Sequence, residues 1–366
     1  MSSETTSLER ELIARINSGG PITFRDFMQA ALYDPAHGYY NTERLKIGPA
    51  GDYYTSSNVH ALFGALLARA ITELWQSIAA FEPLALIEMG AGTGQLAFDI
   101  LSAMRDEQRA VFDRLSYTIV ETSPAMRSLQ QEKLIAFRDR VIWRDINEFE
   151  RSPIKGVIFS NELVDAMPVH RVCFRDGRLE ELCVRVEAGR FTFVWNAPST
   201  SKLNKYISRM GVRPADGDII EINLDAVGWL SQVSTLIESG YLVTIDYGDT
   251  AAHLWGPPRP AGTIRSFYKH RLVESTLERA GEQDITASVN FSALIEYGRD
   301  FGFETLSFER QTAFLMRMGL LERIAAMESA EGGAMDDLKD RLAIKNLFVP
   351  GGISDNFRVL VQQKVW

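Results

Sequence analysis

Three glycines in alternate positions behind an acidic residue, Glu88-Met89-Gly90-Ala91-Gly92-Thr93-Gly94, are the part of this chain best suited to hold a small polar ligand. Glycine lets a backbone turn tightly and approach a ligand where a Cβ would clash, and the free N–H groups at a helix start meet polar atoms above them. Glu88 is placed to accept hydrogen bonds from an amine or from ordered water. A second carboxylate, Glu121, closes the apolar run Tyr117 to Val120, where it would either take both hydroxyls of a ribose or cap the helix that follows. After the run Val141 to Trp143, Asp145 would accept from the exocyclic amine of an adenine and Ile146 would bound its ring, or Asp145 is simply a surface carboxylate. The fourth run ends in Ser160-Asn161-Glu162-Leu163-Val164-Asp165, and His170 follows as a polar edge residue. Glu162 or Asp165 would bind and orient a guanidinium through paired, charge-assisted hydrogen bonds, or else face the dipole of a helix start.

These residues need a scaffold of short apolar runs alternating with helices. From Leu84 onward that alternation is present: Leu84 to Met89, Tyr117 to Val120, Val141 to Trp143, Val157 to Ser160 and Tyr241 to Ile245 read as strands of a parallel sheet. Ligands bind such sheets at the carboxyl ends of the strands, which is where Asn161 and Glu162 fall. Helical spacing predicts helices over Ser7 to Ile16, Thr23 to Leu32 and His60 to Ala80, with Thr23 as an N-cap. Between them, His37 to Asn58 is rich in Gly, Tyr, Ser and Thr and reads as a long loop ordered by something else. Arg171 to Phe174, Leu182 to Val186 and Phe191 to Trp195, separated by Asp176-Gly177 and Ala188-Gly189, read as an antiparallel insertion. A last strand is expected over Phe357 to Gln362. The expected division is an N-terminal helical region with a covering loop over residues 1–80, a first part of the core over 81–168, inserted strands over 169–225, and the rest of the core over 226–366 with a further insertion near 256–312.

With 366 residues, 46% hydrophobic and 24% charged, the chain is of the globular class. A net charge of −9 argues against a broad nucleic-acid or anionic-lipid footprint and for small molecules and proteins as partners. Two cysteines, Cys173 and Cys183, lack zinc-site spacing, and five scattered histidines lack ligand spacing, so no metal site is expected. The first residues carry Glu4, Glu9 and Glu11 without a long apolar run, and no stretch is apolar enough to cross a bilayer; the expectation is a cytoplasmic protein. There is no G-x-S-x-G elbow and no HExxH.

Spacing within the glycine run separates two nucleotide chemistries. A dinucleotide fingerprint has its third glycine three residues after the second, where this chain has Gln95. The GxGxG form behind an acid resembles instead class I methyltransferases that use S-adenosylmethionine (SAM). The whole chain is similar to one family among these, the MidA-like methyltransferases. The resemblance rests on Gly20-Pro21-Ile22-Thr23-Phe24, Tyr33-Asp34-Pro35 with Gly38-Tyr39-Tyr40, Gly51-Asp52-Tyr53-Tyr54-Thr55-Ser56, Phe63-Gly64 and Glu88 to Gly94. It continues through Asn161-Glu162-Leu163, Asp165 to His170, Ile245-Asp246-Tyr247-Gly248 and Asp284-Ile285-Thr286-Ala287.

The resemblance implies an α/β fold with a Rossmann-like, mostly parallel sheet, and SAM as cofactor with S-adenosylhomocysteine as product. The family includes the mitochondrial complex I assembly factor that methylates an arginine of a core subunit, so a protein arginine is the implied acceptor. The resemblance also brings the loop around Thr55 and Ser56 to the donor's amino-acid end. Cofactor contacts are then expected from Glu88, Gly90, Ala91, Gly92, Thr93, Gly94, Glu121, Asp145, Ile146, Asn161, Thr55 and Ser56, and reaction-site roles for Asn161, Glu162 and Asp165. This chain departs from the family at Ser288 and Asn290, and at Ser57-Asn58-Val59, positions that bear on the acceptor. A methyltransferase for a small molecule, a non-catalytic assembly factor that keeps the fold, and an NAD-dependent oxidoreductase are the alternatives.

Overall fold

A computed structural model describes residues 6–42, 61–79, 84–149, 153–256, 259–269, 271–329 and 356–365. The chain divides into two compact units, each assembled from three stretches: Tyr54–Leu163, Ser231–Tyr247 and Gly298–Trp366 in one, and Met1–Tyr53, Val164–Leu230 and Gly248–Tyr297 in the other.

The apolar runs of the first unit become the strands β1 (Leu84–Met89), β2 (Leu115–Val120), β3 (Val141–Arg144), β4 (Ile154–Asn161), β5 (Ile237–Asp249), β6 (Phe303–Arg310) and β7 (Phe357–Lys364). They lie in the order β6-β7-β5-β4-β1-β2-β3. Strands β1 to β5 are parallel, while β7 runs antiparallel to both β5 and β6. The middle strands lack polar alternation because both faces are covered: Leu86, Ile119, Phe159 and Ile245 are all fully buried. Helices α1 (Ala61–Ala79) and α2 (Gln95–Glu107) join this core through Leu66, Ile71, Ile100 and Met104. The two helices approach closely at Gly64, where a Cβ would sit 2.4 Å from the Asp99 Cβ. At such a fully packed position, Ile100→Ala would cost about 2–5 kcal/mol.

The helix that follows β2 is α3 (Pro124–Lys133), which starts with Ser123 accepting from the Met126 N–H and proline in its first turn. It stops at Lys133, and a short 3-10 turn, Ile135–Phe137, follows. Strand β6 was not among the expected elements. Its sequence, FETLSFER, has a half-buried pattern interrupted by a bulge between Thr305 and Ser307, which breaks the period of two.

The second unit carries a five-stranded antiparallel sheet built on Arg178–Glu187, with His170–Arg175, Arg190–Asn196 and Ile22–Thr23 paired to it and Ile219–Ile222 beyond. Both predicted turns form with positive φ at their two central residues, Asp176 (50°) with Gly177 (74°) and Ala188 (50°) with Gly189 (76°). That is the twist that joins antiparallel strands in two residues. Thr23 caps the helix Phe24–Tyr33 by accepting from the Asp26 N–H. Leu12, Phe24, Phe27, Leu32 and Val184 share one core of this unit. A three-stranded sheet, Arg271–Val273, Arg265–Tyr268 and Asp284–Thr286, completes it. Among the described residues no helix is long and apolar enough to cross a membrane.

Candidate functional site

Sheet register aligns most of the singled-out residues. Met89 pairs with Val120 and with Ser160, and Val120 pairs with Arg144. Gly90, Glu121, Asp145 and Asn161 are the residues that follow these four, so they stand in one row at the carboxyl edge of β4-β1-β2-β3. This is the edge where open parallel sheets hold ligands.

The glycine loop spans β1 and α2 with φ of 72°, 53° and 80° at Gly90, Gly92 and Gly94. At Gly94 two constraints coincide: it enters α2 in the left-handed region, and a Cβ there would lie 3.3 Å from the Gln130 Cα. Beneath the loop, Glu88 is 2% exposed and its Oε2 accepts from the Tyr117 hydroxyl at 2.7 Å. Burial pushes its carboxyl up to about 7; the Tyr117 hydrogen bond opposes this, and the charge of Glu121 adds to it. Glu88 is thus a buried, near-neutral acid held by a tyrosine.

Glu121 has its Oε1 on the Ser123 N–H at 2.8 Å and its Oε2 on the Gln130 amide at 3.0 Å. Burial raises its pKa against these hydrogen bonds. Of the two expected roles the structure contains the bracing of the start of α3, by a side chain that stands at the strand end. Asp145 is exposed, and its Oδ1 accepts from both the backbone and the side-chain amide of Asn147, at 2.9 and 2.8 Å. One carboxylate oxygen is thereby committed to a turn, and Ile146 opens the 3-10 helix Ile146–Phe149.

At the end of β4, Asn161 donates from Nδ2 to Glu162 Oε1 at 3.2 Å. Its own Oδ1 is buried without a hydrogen-bond partner among the described residues. Glu162 has φ of 53°, a left-handed conformation unusual for a non-glycine residue, and such strain is a mark of functional sites. The turn is pinned from β5: the Glu162 N–H donates to the Ile245 carbonyl at 3.0 Å and the Leu163 N–H to Asp246 Oδ2 at 3.2 Å. Asp246 is fully buried and also accepts from the Tyr247 N–H.

Asp165 belongs to the second unit, where its carbonyl accepts from the Ala287 N–H at 2.9 Å. His170 is in that unit too, its Nδ1 2.6 Å from Oε1 of the fully buried Glu181, which makes it part of a buried polar pair. Thr55 and Ser56, with the loop containing them, lie outside the described residues. Sequence reasoning missed Tyr117, Gln130 and Asp246 as parts of the site. Gln130 had the clearest signal, a polar side chain four residues after Met126 and four before Leu134, on the buried stripe that runs from α3 into the next turn.

The family model for S-adenosyl-L-methionine-dependent methyltransferases matches residues 66–309. The mitochondrial protein arginine methyltransferase NDUFAF7 homolog of Drosophila melanogaster is 27% identical over 318 residues, covering 78% of this chain and 68% of its own. The mitochondrial protein arginine methyltransferase NDUFAF7 of Homo sapiens is 27% identical over 351 residues, covering 88% and 75%. A protein of Burkholderia thailandensis solved with bound S-adenosyl-homocysteine superposes with a TM-score of 0.88 at 29% identity, covering 98% of this chain and 92% of that one. The mitochondrial names of the curated relatives overturn the expectation of a cytoplasmic protein. That expectation rested on the acidic residues near Met1, and a leader test reads nothing beyond the point where a sequence begins.

Proposed function

From the premise that this chain belongs to the MidA-like family of SAM-dependent methyltransferases, we propose that it transfers the methyl group to an arginine of a protein. The observation that carries the proposal is the row formed by the glycine loop, Glu121, Asp145 and Asn161-Glu162 at one sheet edge. The residues present fit the cofactor. Gly90, Gly92 and Gly94, with Ala91 and Thr93 between them, carry the backbone through positive φ into the start of α2, and Asn161 Oδ1, buried without a partner among the described residues, is an acceptor for a donor such as the amino group of SAM. Glu121 would take the ribose hydroxyls, Asp145 and Ile146 would border the adenine, and Glu88 would support the loop from below. When bound, SAM supplies a methyl already activated on a sulfonium, so the protein's task is alignment and proton removal.

Glu162 would bind the acceptor guanidinium through paired hydrogen bonds and take up the proton its nitrogen releases. Asp165, three residues further on in the sequence, is the second acidic candidate for that role. The names of the Drosophila and human relatives support arginine as acceptor. The resemblance set out above adds a subunit of respiratory complex I as the target class.

Calorimetric titration of the purified protein with SAM, with S-adenosylhomocysteine and with NAD tests the cofactor, and Gly92→Arg serves as the blocked control. Saturable SAM binding that the variant abolishes, followed by methyl transfer to arginine and not lysine peptides, is the expected result. Transfer to lysine peptides or only to small molecules would overturn the acceptor, and SAM binding without turnover on any acceptor would leave an assembly factor.

A further inference from the structure

Gln130 is fully buried, yet each of its side-chain atoms that bonds does so to a part of the nucleotide-facing edge. Its Nε2 donates to the Gly92 carbonyl at 2.8 Å and to Glu121 Oε2 at 3.0 Å, and its Oε1 accepts from Trp143 Nε1 at 2.9 Å. An indole N–H is a donor only, so Trp143 fixes which end of the amide points where. The two N–H groups are thereby directed to the glycine loop and to the carboxylate at the end of β2. The contact is also steric, because Gly94 packs against the Gln130 backbone so closely that a Cβ would meet the Cα. One side chain thus ties together the end of β2, the loop after β1 and Trp143 on β3, two residues before Asp145.

Resting on the SAM-site assignment, we infer that Gln130 is a positioning residue for the cofactor. It sets the plane of the Glu121 carboxylate and the height of the Gly92 carbonyl, and so acts on SAM through them without touching it. A hydrophobic residue would fill the same space on the helix face. Only a side chain with two donors and one acceptor satisfies Glu121, Gly92 and Trp143 together.

The ionisable groups around it are Glu121, Arg127, whose Nη2 donates to the Glu121 carbonyl at 3.2 Å, and Glu88 with Tyr117 beneath the loop. Because burial raises the pKa of both Glu88 and Glu121 in the wild type, each variant is compared with wild type at the same pH.

The test measures the SAM dissociation constant of the full chain by calorimetry between pH 6 and pH 8.5 for wild type, Gln130→Glu and Trp143→Phe, with steady-state kinetics on the acceptor peptide. Gln130→Glu keeps the shape and the acceptor for Trp143, but when ionised it sets a negative charge against Glu121 and the Gly92 carbonyl. Loss of a hydrogen bond to a charged group corresponds to roughly tenfold to hundredfold. The expected result is SAM affinity weaker by about that much at pH 8.5, recovering toward wild type near pH 6, where a proton restores an O–H donor. KM for SAM rises and kcat changes little. Trp143→Phe frees the amide to turn and gives a smaller loss, about threefold to tenfold, with no recovery at low pH. A uniform loss at every pH, or wild-type affinity in both variants while wild type binds SAM, overturns the positioning role. If wild type itself fails to bind SAM, the site assignment falls and the inference with it. Should Gln130→Glu not fold, Trp143→Phe alone decides, and wild-type KM for SAM in that variant refutes the inference.

Discussion

Glu88→Gln should stabilise the protein above neutral pH and weaken it for its cofactor. Glu88 is 2% exposed, and its carboxyl titrates at about 7 where an unburdened glutamate titrates at 4.5. At about 1.36 kcal/mol per pH unit, ionising it inside the fold costs about 3 kcal/mol more than ionising it in the unfolded chain. The sign follows from which state binds the proton more tightly. With the folded pKa above the unfolded one, the fold holds the proton, so this contribution is fully present below pH 4.5 and is lost as pH rises through 7. Glutamine keeps an acceptor for the Tyr117 hydroxyl and carries no charge to bury. The gain of Glu88→Gln over wild type should therefore be near zero at pH 4.5, grow between pH 5 and 7, and level off near pH 8 at about 3 kcal/mol. Urea unfolding followed by tryptophan fluorescence at five pH values measures this difference. Asp99, also raised by burial, to about 6, is common to both proteins and cancels. A stability difference that stays constant from pH 4.5 to 8.5 would refute the reasoning, since it would mean that the Glu88 carboxyl is not held near neutrality by its burial.

Three other substitutions and one ligand probe the same edge. Gly94→Ala forces a Cβ into a φ of 80° and against the Gln130 backbone, and should destabilise by about 1–2 kcal/mol while lowering SAM affinity, as read by urea unfolding and calorimetry. Glu162→Gly relieves the positive φ at that residue, so stability should hold or rise by up to about 1 kcal/mol, whereas methyl transfer to an arginine peptide should fall by more than tenfold. Loss of stability with activity intact would reverse the role assigned to that side chain. S-adenosylhomocysteine at about one hundred times its dissociation constant should add about 2.7 kcal/mol to unfolding, and Glu121→Ala should lose most of that gain at the same concentration.

Much of the core was legible in the sequence because buried parallel strands announce themselves as short continuous apolar runs. Leu84–Met89 matches its expected bounds, and the runs at Tyr117, Val141, Val157 and Tyr241 each lie inside a longer strand. What the runs omit is their extension at the ends: Lys155 and Gly156 in β4 pair with Ser239 and Gly240 in β5, past an irregularity at Glu238, through backbone contacts that side-chain pattern does not report. Residues 303–310 were passed over for a related reason, since a bulge at Leu306 shifts the alternation half-way along the strand. Of the candidate site, the residues at strand ends could be named because topology alone assigns them to the ligand edge. Asp246 and Tyr117 could not, because their importance lies in which distant backbone or carboxylate they meet, and of Gln130 the helical spacing shows that it is buried but not what it holds.

Those three supporting residues account for why the unfavourable features of the chain gather where they do. A buried acid at Glu88 with its pKa raised to about 7, a left-handed glutamate at Glu162 and, at Asn161, an acceptor without a partner among the described residues would each destabilise an isolated loop. The first two are held by their neighbours: Tyr117 holds Glu88, and Asp246 and the Ile245 carbonyl hold the Glu162-Leu163 turn next to Asn161; on the same edge Gln130 with Ser123 holds Glu121. All of these props stand on strands of the sheet or on the helix following β2, elements whose positions are set by a core of fully buried side chains. Binding groups kept desolvated and in fixed orientation lose little further entropy when a ligand arrives, and a charge or donor on that ligand relieves the penalty the fold carries without it. It follows that stabilising substitutions at this edge, Glu88→Gln first among them, should gain stability in the free protein and lose it in the ligand-saturated one, and measuring both in one experiment separates a working site from a relic of the fold.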